Sequence, residues 1–246
     1  MLNDLKRQIL EANLALVRHG LVTLTWGNAS GIDRRRGLVV IKPSGVGYDT
    51  LRARDLTVVD LDGRVVEGRF RPSSDTPTHL ALYRAWPSVG GIVHTHSAHA
   101  VMFAQAGRPL PCLGTTHADG FRGEVPVTRA LTRTEVAGDY EAATGAVILE
   151  QFAPAAGKPD PLERPAVLVA QHGPFAWGRD AAEAVRSAVT LEAVAAMALG
   201  TFHLAPEPSP VPDYVVEKHW SRKHGPGAYY GQAGRRAMRR GQGQMV

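Results

Sequence analysis

The chain has 246 residues, enough for one sizeable domain or two small ones, with an ordinary globular composition of 44% hydrophobic and 21% charged residues. No run approaches the length of apolar sequence that a membrane span requires, and the N-terminus MLNDLKRQILEANLALVRHG lacks the apolar block of a signal peptide. A single cysteine, Cys112, excludes an internal disulfide framework and fits a reducing compartment, so a cytoplasmic location is expected.

The formal charge is +5, but the last fourteen residues hold Arg235, Arg236, Arg239 and Arg240 and no acid, leaving +1 for residues 1–232. The basic character therefore belongs mainly to a Gly/Gln/Arg terminus, expected to be a disordered, solvated tail over 233–246. A near-neutral body argues against a nucleic-acid-binding face.

In chain order, apolar residues at Leu2, Leu5, Ile9, Ala12, Leu16 and Val17 predict a helix over residues 2–19, stopped by Gly20. Three β-rich runs follow, LVTLTW, GLVVIK and LTVVDLDGRVVEG, the last with Asp62-Gly63 as a hairpin turn. A helix is expected over 76–85, a strand at GGIVHTH and a helix over 97–106. Thr132 with Glu135 reads as a capping box for a helix over 133–143, and AVILE reads as a strand. Residues 153–165 are proline-rich and read as a surface loop. AVLVAQHGPFAWG reads as a strand, and Asp180 with Glu183 opens an alanine-rich helix over 181–200. There is no internal repeat and no βαβ rhythm, which favours a layered α/β sheet domain over a barrel.

His94 and His96 stand two apart at the end of an apolar run. On a strand, such positions share a face, so both imidazoles can reach one metal ion. His172, at the end of another apolar run, is well placed as a third ligand, while His79, His99 and His117 compete for that role. His19 and His203 read as structural. Three neutral imidazoles leave a zinc ion with open positions, as a catalytic site requires. A second set, Thr25-Trp26-Gly27-Asn28, Lys42-Pro43-Ser44-Gly45 and Ser73-Ser74, offers backbone amides, hydroxyls and one ammonium suited to a phosphate. Ser73-Ser74 also precede a predicted helix whose dipole favours an anion. Ordinary turns would use the same residue types.

Taken together, these segments resemble the class II aldolase family, and within it the sugar-phosphate epimerase members. The likeness is carried by LTWGNAS, VIKPSGV, VVEG with RPSSDTPTH, PSVGGIVHTHSAHA, AQAG, GTTHAD, HGPFAWG and KHWSRKHGPGAYYGQ, in one order across nearly all of residues 1–232. The resemblance implies a catalytic domain over 1–232 with a three-layer α/β/α sandwich and a central mixed, largely antiparallel sheet. It also implies a divalent metal, usually zinc with cobalt or manganese as alternatives, and a homotetramer with active sites between adjacent subunits. The implied metal ligands are His94, His96 and His172, with Asp75 beside the metal. The implied substrate- and phosphate-binding residues are Asn28, Lys42, Ser44, Gly45, Ser73 and Ser74, with Thr115, Glu141 and His219 at further positions of the site. Asp119 and Tyr230 match the proton-transfer residues, Tyr230 reaching in from a neighbouring subunit.

The implied activity is interconversion of L-ribulose 5-phosphate and D-xylulose 5-phosphate by cleavage of C3–C4, rotation of glycolaldehyde phosphate and re-addition. One alternative is a class II aldolase of the fuculose- or rhamnulose-phosphate type. Those enzymes generally carry a glutamate where Asp75 stands here. A more distant alternative is a non-catalytic scaffold on the same fold. Ala170-Gln171 before His172, the proline-rich segment and the arginine tail depart from the family pattern.

Overall fold

The computed structural model describes residues 2–152, 160–224, 227–229 and 231. Tyr230, the arginine tail and most of the proline-rich segment lie outside the described residues. Seven strands form one sheet: β1 (Asn28–Asp33), β2 (Leu38–Ile41), β3 (Thr57–Asp60), β4 (Val65–Glu67), β5 (Gly91–His94), β6 (Ala166–Val169) and β7 (Gly173–Gly178). Their order is β4-β3-β2-β1-β5-β7-β6, and every pairing between these strands is antiparallel. The parallel component is an isolated bridge between Val127 and Leu168.

Helices α1 (Leu2–Arg18), α3 (Ala98–Gln105) and α7 (Ala181–Leu204) pack on one face of the sheet. Helices α2 (Thr76–Ala85) and α6 (Tyr140–Gln151) pack on the other. The remaining α-helices among the described residues are the short α4 (Thr115–Gly120) and α5 (Arg133–Ala137) and the longer α8 (Asp213–His224). Neighbouring residues along each strand serve opposite layers, as the pleat requires. Val39, Val59, Ile92 and Phe175 pack with Leu80, Tyr83 and Ile148, whereas Val40, Val58, Val93 and Ala176 pack with Ile9, Leu16 and Leu191. The result is the three-layer α/β/α sandwich.

Local signals placed several boundaries. Gly20 takes φ +67 after α1, and Gly63 takes φ +87 in the β3–β4 hairpin, both left-handed. Thr132 and Glu135 form the capping box of α5, and the Asp180 carboxylate accepts the Glu183 amide at 2.7 Å to start α7. By length and composition α7 could cross a membrane, yet its Ala184, Leu191 and Ala195 are buried in the core.

Four expectations need correction. LVTLTW is not a strand: its residues run through loop and turn, and the strand is NASGID of β1. Pairing decides here, because β1 sits between β2 and β5 and its Ser30 hydroxyl is satisfied by His79 Nδ1 at 2.7 Å and Tyr83 Oη at 2.8 Å. AVILE is helical within α6, whose first turn is capped by Asp139 accepting from the Ala142 amide. The helix expected over 133–143 is therefore two helices, broken at Gly138 and Asp139. AVLVAQHGPFAWG is a hairpin, β6 and β7, turned at Gln171 with φ +60.

Candidate active site

The candidate metal ligands gather where three chain segments meet at one end of the sheet. His94 closes β5 and lies across from Asn28 of β1 and Phe175 of β7. His96 follows by two residues. His172 sits in the β6–β7 turn, immediately before β7, where the left-handed Gln171 reverses the chain. Ligand nitrogens of the three rings all lie within 4.8 Å of one another.

The hydrogen bonding orients these rings. His94 Nδ1 donates to the Pro174 carbonyl at 3.0 Å, which leaves the Nε2 lone pair pointing at His96 Nε2, 3.2 Å away. The His94 ring is stacked on Phe175, centroids 4.2 Å apart. His172 Nδ1 lies 3.3 Å from the Tyr140 hydroxyl. Burial, aided by the neighbouring imidazoles, pushes His172 down to about 4 and holds His96 below its ordinary value. Near neutral pH these two rings are uncharged donors. Three converging nitrogens, one ring fixed from behind by a carbonyl, fit a divalent ion of zinc's type.

The competing histidines are engaged elsewhere. His79 bonds Ser30, His99 Nδ1 bonds Glu192 at 2.7 Å, and His117 Nε2 donates to the Gly123 carbonyl at 2.8 Å. Asp75 is the N-cap of α2, and its Oδ2 accepts from Asn28 Nδ2 at 2.6 Å and Ser73 Oγ at 3.3 Å. Burial opposes its ionisation, but His94, His79 and the Asn28 amide outweigh burial and hold the carboxyl below its usual range.

A cavity of about 590 Å³ joins the imidazoles to the candidate anion site, and Asn28, Lys42, Ser44, Gly45, Ser73, Ser74, Asp75 and Glu141 line it. Two loops are zipped together at that end. The Ser44 amide donates to the Arg71 carbonyl and the Ser73 amide to the Lys42 carbonyl, each at 3.0 Å, around a Pro43–Pro72 bridge. Lys42 is 2% exposed, and burial lowers its ammonium to about 8. Gly27, which also lines the cavity, takes φ +88, and a Cβ there would lie 2.8 Å from the His94 carbonyl oxygen.

Thr115, Asp119 and His219 do not line this cavity. They stand on α4 and α8, where Asp119 binds His219 Nδ1 at 3.0 Å, Arg222 at 2.9 and 2.6 Å, and Lys223 at 3.3 Å. Burial disfavours the Asp119 charge, but Arg222, His219 and Lys223 together keep its carboxyl below the ordinary range. Tyr230, the other expected proton-transfer residue, lies outside the described residues.

Sequence reasoning missed Tyr140, which lines the cavity beside His172. Reading Asp139 as a helix cap would have put Tyr140 at the first position of a new helix. It also missed Tyr48, whose ring meets Lys42 six residues upstream and whose hydroxyl bonds Gly27 twenty-one residues away, neither of which follows a helical or strand period.

The model of the class II aldolase and adducin N-terminal domain matches residues 7–199. L-ribulose-5-phosphate 4-epimerase UlaF of Salmonella paratyphi B is 58% identical over 231 residues, covering 94% of this chain and 100% of the relative. Among solved structures, an L-fuculose 1-phosphate aldolase superposes with a TM-score of 0.75 at 26% identity, covering 89% of this chain and 95% of the other. The L-fuculose-1-phosphate aldolase of Thermus thermophilus superposes with a TM-score of 0.63 at 25% identity, covering 85% and 98%. On the match over residues 7–199 and the identity across almost the whole chain, this protein belongs to the class II aldolase and adducin N-terminal domain family.

Proposed function

We propose that the chain is a metal-dependent L-ribulose-5-phosphate 4-epimerase, converting its substrate to D-xylulose 5-phosphate and back. The observation that carries this reading is one cavity with three imidazoles at one end and a buried ammonium among serines at the other. The 58% identity to a protein of that name supports the choice of substrate.

The C4 hydrogen of a 2-ketose is one carbon too far from the carbonyl to be acidic, so direct deprotonation cannot invert C4. Cleaving C3–C4 gives the enediolate of dihydroxyacetone and glycolaldehyde phosphate. Re-addition to the other face of the aldehyde inverts the centre. His94, His96 and His172, with Asp75 alongside, would hold a divalent ion, zinc by preference, which would supply Lewis-acid charge for the cleavage.

Asn28, Lys42, Ser44, Gly45, Ser73 and Ser74 hold the phosphate, so the small aldehyde turns without escaping. Asp119 and Tyr230 exchange protons with the C4 oxygen on opposite faces. The Arg222 and His219 contacts keep Asp119 ionised, as a base must be. Because Asp119, Thr115 and His219 stand outside their own chain's cavity, the complete site takes them from a neighbouring copy. A homotetramer with sites between adjacent subunits meets that need. Residues 1–232 are the catalytic unit and 233–246 a basic C-terminal tail. The setting is cytoplasmic pentose phosphate metabolism, where arabinose use and ascorbate breakdown both need this step.

A coupled assay with L-ribulose 5-phosphate, with and without chelator, tests this reading. Chelator-sensitive formation of D-xylulose 5-phosphate without accumulating aldehyde supports it. Cleavage of a 1-phosphorylated ketose to dihydroxyacetone phosphate, with no epimerisation, would place the chain with the aldolases instead.

A further inference from the structure

Lys42 has an unusual environment for a buried cation. Among the described residues no carboxylate forms an ion pair with it, and its hydrogen bond to the Pro43 carbonyl is long, at 3.4 Å. Its remaining close partner is the face of Tyr48, with Nζ 4.7 Å from the ring centroid. Tyr48 is itself 7% exposed, and no part of the proposed reaction has used it. Its hydroxyl donates to the Gly27 carbonyl at 2.8 Å, with the Trp26 carbonyl at 3.4 Å. Gly27 in turn is packed on the His94 backbone, so closely that no side chain fits between them.

One side chain thus touches two residues that line the cavity, Lys42 and Gly27. Its ring meets the ammonium at the anion end, and its hydroxyl ties down the loop that abuts the imidazole end. Burial raises the phenol's pKa, so the group stays a neutral donor over the working range. A carboxylate in the ring's place would neutralise Lys42 and compete with an incoming anion. An aromatic face stabilises the ammonium while leaving its full charge for the ligand.

We propose that Tyr48 is a positioning residue for phosphate recognition: its ring seats the Lys42 ammonium, and its hydroxyl fixes Gly27 and hence the spacing between the two ends of the cavity. This rests on reading the Lys42 end as the phosphate site. The two halves of the side chain have separable jobs. The ring governs anion affinity, and the hydroxyl governs how well the bound fragment is aligned with the imidazoles.

The test measures inhibition by inorganic phosphate, together with kcat and KM, in the metal-loaded enzyme. Tyr48→Phe keeps the ring, so the phosphate inhibition constant stays within about 2-fold while kcat falls by roughly 3- to 10-fold. Incorporating progressively fluorinated phenylalanines at position 48 keeps the ring's shape and weakens its face, so the inhibition constant and KM rise stepwise, reaching about 10-fold. Lys42→Met is the control for the underlying reading. If Lys42→Met leaves phosphate inhibition unchanged, the anion site itself is misplaced. If Lys42→Met weakens inhibition but the fluorinated series is flat, the role of Tyr48 is overturned while the phosphate site stands. Because every variant keeps an aromatic ring at position 48, a purely structural role would leave both constants unmoved across the series.

Discussion

The Nε2 atoms of His94 and His96 lie 3.2 Å apart, although the two residues flank a buried Thr95 and only His94 belongs to a paired strand. The alternation of β5 continues one step past its last pairing, which puts both rings on the cavity side. Removing the inner ring should therefore disperse the cluster. His94→Ala is expected to lower bound metal to below about a tenth of the wild-type content after dialysis, since loss of even an outer contact costs 10- to 100-fold in affinity. Elemental analysis checks this, with His99→Ala, whose ring is bound to Glu192, retaining its metal.

Tyr140→Phe removes the hydroxyl beside His172 Nδ1 and leaves the ring in place. Metal affinity should fall by about 10-fold as His172 loses its orienting contact. Competition with a chromogenic chelator reads this directly, and an unchanged affinity would mean that the contact orients nothing.

Lys42→Met should separate stability from function. Burial lowers the Lys42 pKa from its ordinary value to about 8, so between pH 8 and the unfolded value the unfolded chain binds more protons. The sign follows: Lys42 destabilises the fold below about pH 8, by about 3 kcal/mol at full effect, and that penalty is relieved as pH rises. Replacement by an isosteric apolar chain is expected to raise the melting temperature by about 2–4 °C, allowing for the lost aromatic contact. The same change should raise KM at least 10-fold. Calorimetry and steady-state kinetics on one preparation test both halves. In the wild type, KM should climb as pH passes about 8 and the ammonium discharges.

Asp119→Asn removes the charge that binds Arg222, Lys223 and His219. Epimerase turnover should drop by about 100-fold or more if this carboxylate exchanges a proton with substrate. The lowered carboxyl pKa contributes stability above the ordinary aspartate value and loses it as pH falls through the folded one. The wild type should therefore lose more stability than the variant on acidification below about pH 4. Full turnover in Asp119→Asn would remove this residue from the chemistry and leave it as the tie between α4 and α8.

Much of this protein was legible in the sequence because the relevant signals are short-range. The period of α1, the caps at Thr132 and Asp180 and the Asp62-Gly63 turn each act within one helical turn or one hairpin. The His-x-His pair needed only strand alternation to share a face. The motifs in their order then carried the family, and with it the expected ligands and phosphate loop.

β propensity alone placed GLVVIK correctly as β2, but it misled twice. LVTLTW looks more like a strand than NASGID, and AVILE more like a strand than a helix. The first contest was decided by β2 and β5 flanking β1 and by partners for Ser30, the second by the Asp139 cap and a buried face against α2 and the sheet. Sequence by itself determined which chemical groups this chain possesses and where single turns begin and end. Only the tertiary structure brought the nitrogens of His172 within 4.8 Å of the pair while engaging His79, His99 and His117 elsewhere, set Tyr48 against both Lys42 and Gly27, and put Asp119 on α4 away from its own cavity. Most of those contacts join segments far apart in the chain, and no local period or cap encodes a distance that the whole packed core must set.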